Sequence, residues 1–136
     1  MELIKIVVRY LDERIVKGYS RDFFPNKSSF HVELLSEKDK RTVVEVHLND
    51  LKAVFFVKDF KGNSSHNEQK YFPEGQQITG RKIKVSFKDG EVLVGTTMGY
   101  DPQRVGFFLF PADPLTNNLK VFVMSSAVSK VEFLLK

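Results

Sequence analysis

Hydrophobic and polar residues alternate with period two along most of this chain. In residues 3–10, Ile4, Ile6, Val8 and Tyr10 fall on one face and Lys5, Val7 and Arg9 on the other. That spacing predicts a half-buried β-strand. Residues 15–21 predict a second strand, with Gly18 inside it as a bend or close approach. Residues 30–35 place Phe30, Val32 and Leu34 inward, and residues 42–48 do the same with Val44, Val46 and Leu48. Residues 51–57 are apolar almost throughout and predict a fifth strand. Between these lie turn-forming stretches: Asp12-Glu13, a loop over 22–29 stopped by Pro25, a charged turn over 36–41, and Asn49-Asp50.

The pattern then lapses. Residues 58–81 are rich in Gly, Asn, Ser and Gln, with Tyr71-Phe72 among the few apolar positions, and read as a polar linker. Alternation resumes with Ile83, Val85 and Phe87, followed by Asp89-Gly90, a strong signal for a two-residue hairpin turn. Further strands are predicted over 92–97, 107–110, 120–124 and 128–134, with Gly95 interrupting the first of them.

The second series echoes the first at a constant offset of 77 positions. Lys5, Ile6, Val8, Asp12, Gly18, Pro25, Phe30, Val44, Val46, Val54 and Phe56 each match an identical residue 77 later. No gap is needed from residue 5 to residue 57. The matched residues are inward apolars, a turn Asp, a bend Gly and a loop Pro, which are what a small sheet requires. An internal duplication is the simplest account. It predicts an all-β protein of two five-stranded units, 1–57 and 82–136, joined by 58–81.

Composition narrows the chemistry. The absence of Cys excludes disulfides, thiolate metal sites and cysteine nucleophiles. No apolar run reaches the length of a membrane helix, and the N-terminus lacks a signal-peptide pattern, so a cytoplasmic location is expected. The net charge of +4 is spread thinly rather than gathered into a basic run. The three His lack metal-ligand spacing, and no phosphate loop, zincin motif or nucleophile elbow occurs. No cofactor, metal or catalytic residue is predicted. The arginine pair and Asn/Asp-x-Ser-x-x-Gly of PilZ-type cyclic-dinucleotide receptors are also missing.

The stretch Ile83-x-Val-x-Phe-x-Asp-Gly-x-Val-x-x-Gly-x-x-x-Gly-Tyr-Asp101 resembles the first signature of the Sm-like (LSm-type) family, and 121–131 resembles its short second signature. The whole chain also resembles an uncharacterised bacterial family, through motifs similar to residues 50–57 and 106–113. The Sm-like resemblance implies two tandem Sm-like/SH3-like small barrels. It also implies RNA-binding rings in which strand four of one barrel pairs with strand five of the next, a contact that two units could make within one chain. Asp101 keeps the family's third-loop acid. Val105-Gly106 stands in place of its apolar-Asn pair, and Ser125-Ser126 and Asn49-Asp50 replace its basic fifth loop. The reading is therefore a non-catalytic interaction or adaptor module. The alternative is an RNA-binding Sm-like protein forming a ring or pseudo-ring.

Differences between the units mark where function is expected. His31, Glu33 and Glu45 of the first unit become Phe108, Phe110 and Phe122 of the second, while Phe55 becomes Glu132. Phe108, Phe110, Phe122 and Phe55 are the candidate interface residues. They are expected to pack between the units, or against Tyr71 and Phe72, or to bind a second copy or a partner protein. For the alternative, Lys82, Lys84, Lys88, Arg104 and Asp101 are the candidate nucleic-acid contacts.

Overall fold

In the computed structural model the described residues are 3–35, 42–60, 72, 79–113 and 116–134. They form ten antiparallel strands: β1 Ile4–Tyr10, β2 Ile15–Ser20, β3 Ser29–Leu34, β4 Val43–His47, β5 Leu51–Val57, β6 Arg81–Phe87, β7 Val92–Thr97, β8 Gly106–Pro111, β9 Asn118–Met124 and β10 Val128–Phe133. The only helical pieces among the described residues are two 3-10 turns, Leu48–Asp50 and Ser125–Ala127. Most of the expected linker and the charged turn over 36–41 lie outside the described residues. So does Tyr71, whereas Phe72 is described and sits under the Lys82 ammonium, 4.9 Å from its ring centroid.

All ten strands belong to one sheet, in the order β10-β6-β7-β8-β9-β5-β1-β2-β3-β4. The halves have the same internal order, five-one-two-three-four, with strands counted within each half. The sheet does not close. Within neither half does the fourth strand pair with the fifth, so the expected closed barrels are not formed. Instead β5 offers its second edge to β9 of the other half, with Val54 opposite Phe122 and Phe56 opposite Lys120. This seam pairs a fifth strand with a fourth strand inside one chain.

The register explains why β5 is buried at every position. Val54 and Phe56 share a face with Ile6 and Val8 of β1 and with Phe122 of β9. Ala53 and Phe55 share the opposite face with Val123 and Val121, which in turn lie opposite Phe107 and Leu109. The first half therefore builds its core on one side of the sheet and the second half on the other. Strand β5 supplies both cores, which accounts for its loss of alternation. Two glycines let each half bend: a Cβ on Gly18 would stand 2.2 Å from the Glu33 carbonyl oxygen, and one on Gly95 2.1 Å from that of Phe110.

Candidate interaction site

At the seam an aromatic cluster is assembled from both halves. Phe23, in the β2–β3 loop, is buried with its ring edge-on to Phe30 at 5.0 Å and to Phe56 at 5.4 Å. Phe122 and Phe108 complete the cluster from the second half, 5.4 and 6.5 Å from Phe23 and 5.0 Å from each other. The Lys120 ammonium caps it, 4.9 Å from the Phe56 ring and 4.7 Å from Phe108. Edge-to-face pairs of this kind add to the apolar burial they accompany.

The candidate interface residues fall into three different settings. Phe108 and Phe122 are cross-strand partners inside the seam. Phe110 is 40% exposed and sits opposite Thr96, away from the ring cluster. Phe55 lies on the other face of the sheet, under the Arg9 guanidinium at 5.4 Å.

A second seam contact was invisible to pattern reasoning. Lys52, on β5, is only 7% exposed. Its ammonium donates to Asp89 at 2.7 Å and to Glu91, both from the β6–β7 turn of the other half, and lies 4.7 Å from the Phe87 ring centroid. The Lys52 hydrogen bond, followed by the Glu91 backbone N–H, holds the Asp89 carboxyl below its ordinary range. In the first half the equivalent turn is self-sufficient: Arg14 pairs with Asp12 at 2.7 Å and stacks over Tyr10 at 4.2 Å. Arg14 corresponds to Glu91, so the second turn has an acid where the first has its cation, and Lys52 of β5 supplies the cation instead. An interrupted cation in a duplicated turn was the available signal.

The two sheet edges carry different chemistry. Beside the β4 edge, on β3, the His31 Nδ1 lies 2.7 Å from Asp22, whose other oxygen accepts the His31 backbone N–H at 2.9 Å. Glu45 reaches His47 Nε2 at 3.2 Å and His31 Nε2 at 3.9 Å. Hydrogen bonding to Asp22 raises the His31 imidazole above its ordinary value. Burial pushes the Asp22 carboxyl up, but hydrogen bonds from His31 and Ser20 outweigh it and leave the group below its ordinary value.

At β10, Tyr100 stands where Phe23 stands in the first half. Its ring is edge-on to Phe107 at 4.9 Å and to Phe133 at 5.5 Å. The Arg81 guanidinium covers Phe133 at 3.7 Å. A groove of about 250 Å³ runs alongside, lined by Tyr100, Pro102, Phe107, Val128 and Val131 among others.

The candidate nucleic-acid contacts are dispersed. Lys82 and Lys84 project from the solvent face of β6, Lys88 is in the β6–β7 turn, and Arg104 is in the β7–β8 loop with Asp101. Lys88 and Arg104 therefore lie beyond opposite ends of β7. Among the described residues no group of three His, Asp or Glu side chains is arranged to hold a metal ion, and no helix is long and apolar enough to cross a membrane.

The chain belongs to a family of unknown function (DUF6982), whose model matches residues 3–135. No curated protein and no solved structure matches it.

Proposed function

We propose that this protein is a non-catalytic interaction module, built from two Sm-like/SH3-like units and working through the edges of its sheet. The seam carries this reading: β5 of the first half accepts β9 of the second as an added antiparallel strand. Strand addition is thus the mode of association that the fold already uses, and β4 and β10 are the equivalent edges that no strand among the described residues covers.

The same register argues against the ring alternative. Moving the seam contacts by the 77-residue repeat would place Lys130 opposite Val46, Val131 opposite Glu45 and Glu132 opposite Val44 of a second copy. Ala53 and Phe55 of the seam become Lys130 and Glu132, and Phe108 and Phe122 become His31 and Glu45. Copying the seam between chains would drive four ionisable side chains into positions that are apolar within the chain. Lys130 lies 3.4 Å from Glu132, and Glu45 reaches His31 and His47, so the copied seam would have to desolvate these paired charges, which is costly where apolar side chains pack instead. Charged side chains at these positions discourage β4 of one copy from pairing with β10 of another.

The test is the mass in solution, by light scattering on a sizing column, together with retention of oligo-U and oligo-A. A monomer or dimer with no retention fits the interaction module. A trimer, hence six units, with retention that falls steeply between about 50 and 200 mM salt, would establish the RNA-binding ring instead.

A further inference from the structure

The duplicated halves hold the same aromatic receptor twice, once filled and once open. In the first half Phe23, Phe30 and Phe56 receive Phe122, carried by an antiparallel strand opposite Val54. In the second half Tyr100, Phe107 and Phe133 occupy the corresponding positions. The two ring pairs centred on Tyr100, at 4.9 and 5.5 Å, reproduce the 5.0 and 5.4 Å pairs centred on Phe23. The receptor geometry is thus preformed without a strand against it: among the described residues β10 pairs only with β6. We propose that the open edge of β10 is a docking site for an extended segment of another protein. The segment is added antiparallel, with an aromatic side chain opposite Val131 and an acidic one opposite Phe133.

The seam specifies this partner. Phe122 opposite Val54 translates to an aromatic residue opposite Val131, where it can enter the groove beside Tyr100. Two residues earlier, Lys120 opposite Phe56 caps the first-half cluster with its cation. At Phe133 that place is already taken by the Arg81 guanidinium. A second cation there would be repelled, whereas a carboxylate would meet Arg81. On the alternate face the partner meets Lys130 and Glu132 instead of Ala53 and Phe55, so its intervening residues need not be apolar. A second copy does not fit, because its β4 would direct Glu45 at the aromatic trio.

This proposal rests on the edge-docking reading above and is tested separately from it. The probe is a labelled peptide of residues 116–125 of the chain's own sequence, made as the parent, with Lys120→Glu, and with Lys120→Glu and Phe122→Ala together. It is titrated into the full chain by fluorescence anisotropy and mapped by amide NMR shifts. Shifts at Tyr100, Val131 and Phe133 are expected. The Lys120→Glu peptide should bind about twofold to fivefold tighter than the parent, and Phe122→Ala on the Lys120→Glu background should weaken it about tenfold or more. Arg81→Glu, a surface change, should reverse the preference between the Lys120 and Glu forms. Shifts confined to β4 would overturn the β10 assignment and leave edge docking standing. A mass that grows with concentration while β4 and β10 shift together would make a second copy the occupant and overturn it. Binding indifferent to the peptide's Phe also overturns the proposal, and binding at neither edge overturns both it and the edge-docking reading.

Discussion

Lys52 on β5 and Asp89 in the β6–β7 turn are joined by a 2.7 Å ion pair across the seam between the two halves. The pair is unequal. The lysine side chain is almost wholly buried, whereas the carboxylates of Asp89 and Glu91 keep a third to a half of their exposure. Removing the cation lets two carboxylates rehydrate. Removing the carboxylates strands a buried ammonium.

That asymmetry predicts opposite mutational costs. Lys52→Met keeps an unbranched apolar side chain of similar length in this buried place and should cost about 1 kcal/mol in chemical denaturation. Asp89→Asn with Glu91→Gln should cost about 3 kcal/mol. The depressed Asp89 carboxyl also sets a pH sign: its contribution is present above the ordinary carboxylate range and is lost as pH falls through it toward the folded value. Urea midpoints measured between neutral and acidic pH should fall for the native chain, and fall less for the double variant.

The aromatic cluster separates seam residues from surface residues of the same type. Phe122 is fully buried against Phe23 and Phe108, so Phe122→Ala should cost about 3–5 kcal/mol. Phe110→Ala, at a 40% exposed position outside the cluster, should cost about 1 kcal/mol or less. Phe108→Asp should lower the thermal midpoint, because Phe108 packs on Phe56 and Phe122. Equal effects from Phe110 and Phe122 would show that the seam does not hold the halves together.

These contrasts also mark what the sequence discloses. The existence of the strands is legible because alternation is a local property, and the 77-residue repeat shows each strand of one half again in the other. Closure is not. Whether β5 pairs with its own β4 or with β9 depends on which edge competes better, and the alternation of β5 is erased because both of its faces are buried. The split of Phe108 and Phe122 from Phe55 follows from the same two-sided strand. The role of Lys52 is not legible in the pattern, because a lysine in an apolar strand has no periodic signature. Its meaning appears only when Glu91 is set beside Arg14.

The Asp22–His31 pair, formed between the β2–β3 loop and β3, predicts a window of pH rather than a single slope. His31 is raised, chiefly by its hydrogen bond to Asp22, so its contribution is complete below the ordinary imidazole value and is lost as pH rises through the folded one. Asp22 is lowered, so its contribution is present above the ordinary carboxylate value and is lost in acid. The pair therefore stabilises most between those two ordinary values, about 4 and 6.5. NMR titration of the His31 ring should give a midpoint above that of a model imidazole, and Asp22→Asn should bring it down. A midpoint unchanged by Asp22→Asn would show that the pair is not formed in solution.

Glu13 offers a test in the stabilising direction. Its φ of 76° is the single positive value at a non-glycine position among the described residues. It corresponds to Gly90, whose φ is 96° and beside which a Cβ would meet nothing within 4 Å. The first turn thus adopts the backbone of the second while carrying a side chain that disfavours it. A left-handed conformation costs an ordinary residue about 1–2 kcal/mol. The added freedom of glycine in the unfolded chain returns about 0.5–1 kcal/mol of that. Glu13→Gly should therefore stabilise the fold by about 0.5–1 kcal/mol, read as a higher urea midpoint at unchanged slope. Gly90→Glu should destabilise by a similar amount. Gly18→Ala makes the contrasting case, because its added methyl group would stand 2.2 Å from the Glu33 carbonyl oxygen. No side-chain rearrangement can relieve a clash with backbone, so β2 and β3 would have to separate where Gly18 faces Leu34. That substitution should cost about 3 kcal/mol or more, beyond the usual range for a single added carbon. If Gly18→Ala proved as mild as Gly90→Glu, the close approach of β2 to β3 that bends the first half would not exist in solution.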